Sequence, residues 1–293
     1  MMRFGLFMIA GLLVSCNGGT KEALRNRQDR GSTVSSYAQP TSSSFGASNK
    51  PIPQNGQNEA QEYSGKIEIP ILLNKQREQI ITHVGYSVSF NTATRLANWV
   101  AYELTNEKVQ GSTPRAKKFN QDPDVKGIQA DNGDYKNSGW DKGHMCPAGD
   151  MKWSKQAMDE SFYFTNICPQ NPNLNGGDWK DLEEKCRDLT QYYGKIYIAC
   201  GAIIGKAQYG SIGHNRVTIP DGFYKVLLVE TSTGFESIGF YFENKAGNRK
   251  LSFYARAVDE IEQLTGIDFF SALPDSIENC VEAKYDLGIW HIK

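Results

Sequence analysis

The sequence predicts an α+β fold in which helices flank an antiparallel sheet. Short stretches of alternating apolar residues, typical of strands, recur along the chain. Helical apolar patterns are few and do not alternate regularly with the strands, which argues against a doubly wound parallel sheet.

Five stretches have the β-branched and aromatic composition of strands. Residues 80–90 form the first, and Asn91-Thr92-Ala93-Thr94 predicts a turn before a returning strand at 99–104. Later strands are predicted at 195–204, 224–230 and 236–242.

Two helices are predicted from apolar residues at helical spacing. The first begins at Asp178 as its N-cap and runs to about Tyr193. Its buried stripe comprises Leu182, Cys186, Leu189 and Tyr193. The second covers 257–264 and ends at Gly266, with Val258, Ile261 and Leu264 at helical spacing.

Three segments of different composition divide the chain. Residues 1–16 begin with a positively charged segment that contains Arg3, and an apolar run follows that is too short to span a bilayer. The run ends in Leu13-Val14-Ser15-Cys16, which resembles a bacterial lipobox, so we expect a lipoprotein-type signal peptide ending at Cys16. Cleavage without a lipid is the alternative. We expect residues 17–65, rich in Ser, Asn, Gln and Gly, to be a flexible tether, and 66–293 to be the folded domain.

These features predict an exported protein, anchored to a membrane through a lipid on Cys16 or otherwise secreted. Five cysteines remain beyond Cys16, namely Cys146, Cys168, Cys186, Cys200 and Cys280. Export permits one or two disulfides, and the odd count leaves at least one free thiol. No CxxC pair supports a structural zinc site.

The charge balance argues mildly against a nucleic-acid binder. The formal net charge is −1, whereas proteins that bind nucleic acid usually present a basic footprint. An enzyme that releases its product needs only a local basic groove, so this objection is weak.

Two stretches concentrate residues suited to catalysis. In DYKNSGWDKGHMCPAGDMKW, residues 134–153, glycines permit tight turns around Asp141, His144 and Asp150. In TNICPQNPNLNGGDWKDLEEKCR, residues 165–187, prolines and glycines precede a helix. On that helix Trp179, Glu183 and Arg187 are four residues apart and share one face. Taken alone, Glu183 and Arg187 indicate a surface salt bridge, and Asn175 indicates a turn residue.

Together these stretches resemble the DNA/RNA non-specific endonuclease family, whose members use a ββα-metal motif. The family's Asp-Arg-Gly-His, Pro and Asp appear as Asp141-Lys142-Gly143-His144, Pro147 and Asp150. Its Thr-Asn-x-x-Pro-Gln block appears at 165–170. The remaining matches are Asn175, Trp179, Leu182-Glu183 and Arg187, with Arg115, Phe119, Asp122-Pro123, Asp134-Tyr135 and Ser138-Gly139 upstream.

The resemblance implies a metal-dependent endonuclease that cuts DNA and RNA with little sequence preference and leaves 5′-phosphates. It assigns His144 as the general base and the side-chain oxygen of Asn175 as the ligand of Mg²⁺, for which Mn²⁺ could substitute. Glu183 would orient metal-bound waters, and Arg187 and Lys142 would offset phosphate charge. Asp141, Arg115 and Trp179 are assigned to substrate binding, and Asp150 to fixing the loop.

One departure from the family pattern is Lys142, which replaces arginine. Lysine keeps the charge but loses the planar fork that grips phosphate through two hydrogen bonds. Cys146 also stands where a small residue is common.

Two alternatives stay open: a catalytically weak nucleic-acid binder, and a glycan-binding surface lipoprotein using Trp153, Trp179, Tyr192 and Tyr193. His83, His214 and His291 lie in no motif and are interpreted as structural or surface residues.

Overall fold

The computed structural model describes residues 65–74 and 77–293, and Gly65–Lys293 forms one compact unit. The signal peptide and nearly all of the tether predicted for residues 1–65 lie outside the described residues. No helix in the described part of the chain is long and apolar enough to cross a membrane.

A seven-stranded antiparallel sheet forms the centre of this unit. Its strands, in chain order, are β2 (Gln79–Thr82), β3 (Ser87–Asn91), β4 (Leu96–Thr105), β7 (Lys195–Ile203), β10 (Gly222–Thr231), β11 (Gly234–Glu243) and β12 (Ala255–Arg256). Across the sheet they follow the order β12-β11-β10-β7-β4-β3-β2. Three two-stranded ladders pair β1 (Ile71–Leu72) with β13 (Ile267–Asp268), β5 (Asp141–His144) with β6 (Ile167–Gln170), and β8 (Ser211–Ile212) with β9 (Val217–Thr218). The predicted α+β fold with an antiparallel sheet is confirmed.

The predicted strand at 80–90 is in fact a hairpin of β2 and β3. The His83 amide donates to the Tyr86 carbonyl at 2.8 Å and closes the turn. A Cβ atom at Gly85 would lie 2.2 Å from the sulfur of Met151, so the turn packs closely against the segment that contains Met151. Apolar residues alternate with other residues in the same phase before and after the turn, so the sequence pattern predicted one continuous strand.

Helices cover both faces of the sheet, so the central strands are buried on both sides. On one face Trp179 packs against Phe223 and Phe242, with ring centroids 5.7 Å away in each case. On the other face Tyr224 packs against Phe269 at 5.4 Å. Adjacent residues of β10 therefore serve two different layers of the core.

Eight α-helices are described: α1 (Asn106–Val109), α2 (Asn132–Tyr135), α3 (Lys155–Glu160), α4 (Pro172–Asn175), α5 (Asp178–Tyr193), α6 (Leu251–Tyr254), α7 (Val258–Thr265) and α8 (Asp275–Glu282). Two 3₁₀ turns, Ala148–Met151 and Phe164–Asn166, flank β5 and β6 in sequence.

The long helix α5 has the predicted extent, but its N-cap is Gly177 instead of Asp178. Asp178 is the first helical residue, and its carboxylate accepts hydrogen bonds from the backbone amides of Asn248 and Arg249, at 2.8 and 3.2 Å. The carboxylate thereby fastens the helix start to a loop about 70 residues away, an interaction that local capping preferences do not encode.

Helix α7 ends at Gly266 as predicted, with the left-handed φ of 69° that favours glycine. Of the three apolar residues at helical spacing, Val258 and Ile261 are fully buried, whereas Leu264 is 54% exposed. Each step of three residues falls about 60° short of a full helical turn, so Leu264 lies about 120° away from Val258.

Four of the cysteines are buried free thiols: Cys146, Cys168, Cys186 and Cys200. The prediction that at least one thiol stays free is confirmed. Burial raises the pKa of each of these thiols, so they are protonated and pack as small apolar side chains.

Candidate active site

The ladder of β5 and β6, followed by α5, forms a ββα unit. Lys142 lies opposite Pro169, and His144 lies opposite Ile167. A Cβ atom at Gly143 would come within 2.1 Å of the Gln170 side chain, so only glycine fits between Lys142 and His144. Since residues alternate along a strand, this pairing directs Lys142 and His144 to the same side of the ladder.

Helix α4 and two glycines turn the chain from β6 into α5. The Asn171 side chain accepts hydrogen bonds from the first amides of α4, at 3.0 and 3.4 Å. A Cβ atom at Gly177 would meet the Asn173 carbonyl oxygen at 2.4 Å. This compact turn places Asn175 beside the start of the helix that carries Glu183 and Arg187.

An open cleft of about 310 Å³ lies over this unit. It brings together six of the eight residues that the sequence singled out: Arg115, Lys142, His144, Asn175, Glu183 and Arg187. Pro147, Ala148, Gly149 and Lys180 complete its walls. Sequence reasoning missed Lys180, although it precedes Glu183 by three residues and helical spacing could have identified it.

His144 is buried against two aromatic rings. Its imidazole lies 5.5 Å from the Phe119 ring and 4.9 Å from the Phe162 ring, edge-on to the latter. This burial, together with the nearby Arg115 cation, lowers the pKa of His144 to about 3. The imidazole is therefore neutral, and its Nε2 atom accepts no hydrogen bond from the described residues.

Asn175 is oriented by Asp141. The Asn175 side-chain amide donates from Nδ2 to the Asp141 carboxylate at 2.9 Å. This hydrogen bond leaves the Asn175 Oδ1 atom available for a ligand in the cleft. Asp141 does not line the cleft itself, and its contact with the cleft runs through this bond to Asn175.

Glu183 has an unusual protonation equilibrium for a carboxyl group. Burial raises its pKa to about 7, against the opposing effect of the Lys225 and Arg187 cations. Carboxylate and amide oxygens are the ligands that hard cations such as Mg²⁺ prefer. Glu183 and Asn175 therefore fit a divalent cation in the cleft.

Arg187 pairs with Asp150 instead of Glu183. Its guanidinium donates to the fully buried Asp150 carboxylate at 2.9 Å. Tyr102, from the central strand β4, donates to the other Asp150 oxygen at 2.9 Å. The surface salt bridge suggested by the helical spacing of Glu183 and Arg187 is thus replaced by a buried pair between helix and loop.

Trp179, which the resemblance assigns to substrate binding, is placed in the core by the structure and does not line the cleft. Its side chain is fully buried, and its indole N–H donates to the His144 carbonyl oxygen at 3.2 Å. Glu183 and Arg187 line the cleft. Trp179, one turn before Glu183, packs in the core instead, because the first turn of α5 lies directly on the sheet.

Lys225 is a buried cation that sequence reasoning missed. Its side chain is fully buried on β10, and its ammonium lies 4.5 Å from the Trp179 ring centroid. A single lysine within the apolar run FYKVLLVE was the available signal. Lys225 supplies positive charge beneath the cleft, where it lowers the pKa of Glu183.

Lys142 lies over aromatic rings at the cleft wall. Its ammonium is 4.9 Å from the Phe119 centroid and 5.7 Å from the Tyr135 centroid. Partial burial lowers its pKa. The side chain therefore packs through cation–π contacts while its charge faces the cleft.

The other histidines take part in separate interactions. His83 bonds to the buried Asp122 at 2.9 Å, and His291 packs on Tyr192 at 4.5 Å. Within residues 65–74 and 77–293, three groups of acidic and histidine side chains are close enough to hold a metal: His83–Asp122–Asp124, Asp131–Asp134–His214 and Asp259–Glu262–Glu282. None of them includes a residue of the cleft.

Comparisons with known proteins agree with this geometry. The family model for DNA/RNA non-specific endonucleases matches residues 64–276. The chain therefore belongs to the DNA/RNA non-specific endonuclease family, as the resemblance of its motifs indicated.

Three curated relatives illustrate its breadth. The chain is 34% identical to the mitochondrial nuclease EXOG of Xenopus laevis over 207 residues, covering 65% of this chain and 58% of the relative. It is 33% identical to human mitochondrial endonuclease G, covering 65% and 69%, and 30% identical to a nuclease of Nostoc sp., covering 69% and 76%. The chain thus spans less than two thirds of the length of the EXOG relatives.

A solved structure also shares the fold. The crystal structure of the EndoG/EndoGI complex contains a chain that matches with a TM-score of 0.63 and 28% sequence identity. The match covers 68% of this chain and 88% of that chain.

Proposed function

We propose that the protein is a metal-dependent endonuclease that hydrolyses phosphodiester bonds in DNA and RNA with little sequence preference, leaving 5′-phosphates. The observation that carries this proposal is the neutral His144, whose Nε2 accepts no hydrogen bond from the described residues, in a cleft lined by Arg115, Lys142 and Arg187. With Lys180, which also lines the cleft, four cations lie around one free proton acceptor, and this arrangement matches the needs of phosphodiester hydrolysis.

His144 acts as the general base in this proposal. Its imidazole is neutral, so the free Nε2 atom can take a proton from the attacking water. An anionic phosphate in the cleft raises the pKa of a nearby histidine. Substrate binding therefore increases the basicity of His144 when the proton must be transferred.

Asn175 would hold Mg²⁺, with Mn²⁺ as a substitute, and Glu183 would orient the waters bound to the metal. The Asp141 contact directs the Asn175 side chain, and the raised pKa of Glu183 means that a bound cation would favour its carboxylate form. A bound Mg²⁺ supplies Lewis-acid stabilisation to the phosphate and the leaving oxygen.

Arg187, Lys142 and Arg115 stabilise negative charge on the phosphate. The Asp150 pair fixes Arg187 in one orientation, so little reorganisation is needed as charge develops. Lys142 and Arg115, which precede α5 in the sequence, contribute further positive charge to the cleft. Contacts of this kind position a phosphate but do not distinguish bases, which accounts for low sequence preference.

The deciding experiment is cleavage of plasmid DNA and of a structured RNA by the purified protein, with Mg²⁺ or with EDTA. We expect both substrates to be cut only with the metal, and a His144→Ala variant to be nearly inactive. End-group analysis of the fragments should find 5′-phosphates. Binding without cleavage would favour the catalytically weak nucleic-acid binder, and neither binding nor cleavage would favour the glycan-binding alternative.

We also propose that the protein is exported and held at a membrane by a lipid on Cys16. The basis is the sequence of residues 1–16 alone. Stable anchoring needs more than one acyl chain, as lipoprotein-type acylation supplies. Wild-type protein should enter the detergent phase on phase separation and Cys16→Ser should not. Wild-type protein that stays in the aqueous phase would leave a secreted enzyme.

A further inference from the structure

A second groove adjoins the catalytic cleft and shares Arg115 with it. This basic groove has a volume of about 510 Å³, and its charged lining residues are Arg115, Lys117, Lys118, Lys155 and Asp159. Four cations and one carboxylate thus line it, in a chain whose formal net charge is −1. The lining of this groove is therefore positively charged although the chain as a whole is not.

The wall of the basic groove is fixed to the protein at both ends. The Thr113 amide donates to the Lys152 carbonyl at 2.9 Å, and the Asn120 amide donates to the Phe162 carbonyl at 3.2 Å. Phe164 returns a hydrogen bond to the Asn120 carbonyl at 3.0 Å. The intervening segment is therefore held against the loop that carries Phe162, one of the rings packed on His144.

The lysines of the groove differ in their partners. Lys155 forms an ion pair with Asp159 one helical turn away. Lys117 and Lys118 are exposed, and neither forms an ion pair with a carboxylate of residues 65–74 or 77–293. No described carboxylate therefore compensates their charges, whereas the Asp159 carboxylate offsets that of Lys155.

We propose that the basic groove binds the sugar–phosphate backbone of the substrate strand beyond the scissile phosphate, with Lys117 and Lys118 each contacting one further phosphate. The inference rests on the proposed nuclease function and extends it to a specific substrate path. Arg115 lies at the junction, so a strand leaving the cleft enters the groove directly. Lysine contacts to phosphate supply affinity without reading sequence.

Binding in EDTA tests this path without depending on catalysis. The full chain is titrated into a fluorescein-labelled 12-nucleotide single-stranded DNA over a salt series. Each phosphate contact on a single strand contributes a slope of about −0.7 in log K against log salt, so Lys117→Ala/Lys118→Ala should reduce the slope by about 1.4. Lys155→Ala should change it less, because Asp159 already offsets that charge.

The matched control is Lys66→Ala/Lys284→Ala, which removes the same charge at two exposed positions outside both the cleft and the groove. Its slope should equal that of the wild type. Equal slopes for all variants, or equal losses in the groove and control variants, would overturn the proposal.

A small diester separates the groove from the chemistry. Bis(p-nitrophenyl) phosphate has one phosphate and does not extend into the groove, so the Lys117→Ala/Lys118→Ala variant should hydrolyse it at the wild-type rate with Mg²⁺. A matching loss on the small diester would place these lysines in the cleft chemistry and contradict the proposal. Wild-type protein that binds the 12-mer through the groove but cuts no nucleic acid would refute the proposed function alone.

Discussion

The indole N–H of Trp179 donates a hydrogen bond to the carbonyl oxygen of His144 at 3.2 Å. The donor lies in the first turn of α5, and the acceptor is the last residue of β5. This bond connects the helix of the ββα unit to the strand that carries the proposed base. Because Trp179 packs on Phe223 and Phe242, the position of His144 depends on the central sheet.

Trp179→Phe should therefore lower kcat and also destabilise the protein. The variant retains an aromatic side chain but leaves the buried His144 carbonyl without its donor, at a cost of about 1–3 kcal/mol. Trp99→Phe is the matched control, since Trp99 is also fully buried and its indole N–H donates to no described residue. Steady-state kinetics and thermal unfolding compare the two. Equal effects on kcat would contradict a positioning role for Trp179.

His144→Ala should reduce cleavage of both DNA and RNA by about two to four orders of magnitude, which is the usual contribution of a positioned general base. The circular dichroism spectrum should be unchanged, because the role is chemical. His214→Ala, at an exposed histidine outside the cleft, should retain full activity. A folded His144→Ala protein that cuts at near the wild-type rate would exclude His144 as the base.

Asn175→Ala should move the midpoint of the Mg²⁺ activation curve to higher concentration. The variant removes the side-chain oxygen that Asp141 orients toward the cleft. Asn173→Ala is a suitable control, because Asn173 lies two residues earlier, is exposed and does not line the cleft. If the midpoint stays the same in both variants, Asn175 is not a ligand of the metal.

Glu183→Gln should raise the melting temperature of the metal-free protein at pH 8 and leave it unchanged at pH 4.5. The folded pKa of about 7 lies above the ordinary value of 4.5, so the folded state binds the proton more tightly. The ionised form of Glu183 therefore destabilises the folded wild type progressively as pH rises from 4.5 to about 7, and to its full extent above about pH 7. At pH 8 the gain should be at least about 2 °C.

Glu184→Gln supplies the comparison for this measurement. Its carboxylate is exposed on the same helix and pairs with Lys180, so removing its charge should change the melting temperature little at either pH. A Glu183→Gln protein that melts below the wild type at pH 8 in EDTA would show that the half-buried Glu183 carboxylate stabilises the fold.

Lys142→Arg should keep or raise kcat/KM, and Lys142→Ala should lower it. The guanidinium can grip two phosphate oxygens and stack on the Phe119 ring that the lysine now covers. Lys136→Ala, at an exposed lysine outside the cleft, controls for loss of charge. The three variants are compared over a salt series. Equal and severe losses for Lys142→Arg and Lys142→Ala would mean that the loop has adapted to lysine.

Local sequence by itself determined the elements of the site. The glycines around His144 indicate tight turns in a segment rich in catalytic residue types, and the helical stripe of α5 specifies which residues pack inward. These properties depend on residues within one or two turns of each other. They sufficed to predict the α+β class, most strands of the central sheet, the helix from Asp178 to Tyr193, and a set of residues of which six line one cleft.

Only the tertiary structure decided burial and pairing at the site. Trp179 faces the core because β10 passes beneath the first turn of α5, some 45 residues later in the chain. Arg187 pairs with Asp150, not with Glu183, because the loop after β5 places a desolvated carboxylate beside it. Burial also sets the neutrality of His144 and the raised pKa of Glu183. Desolvation depends on every element packed around a group, so no local pattern in the sequence encodes it.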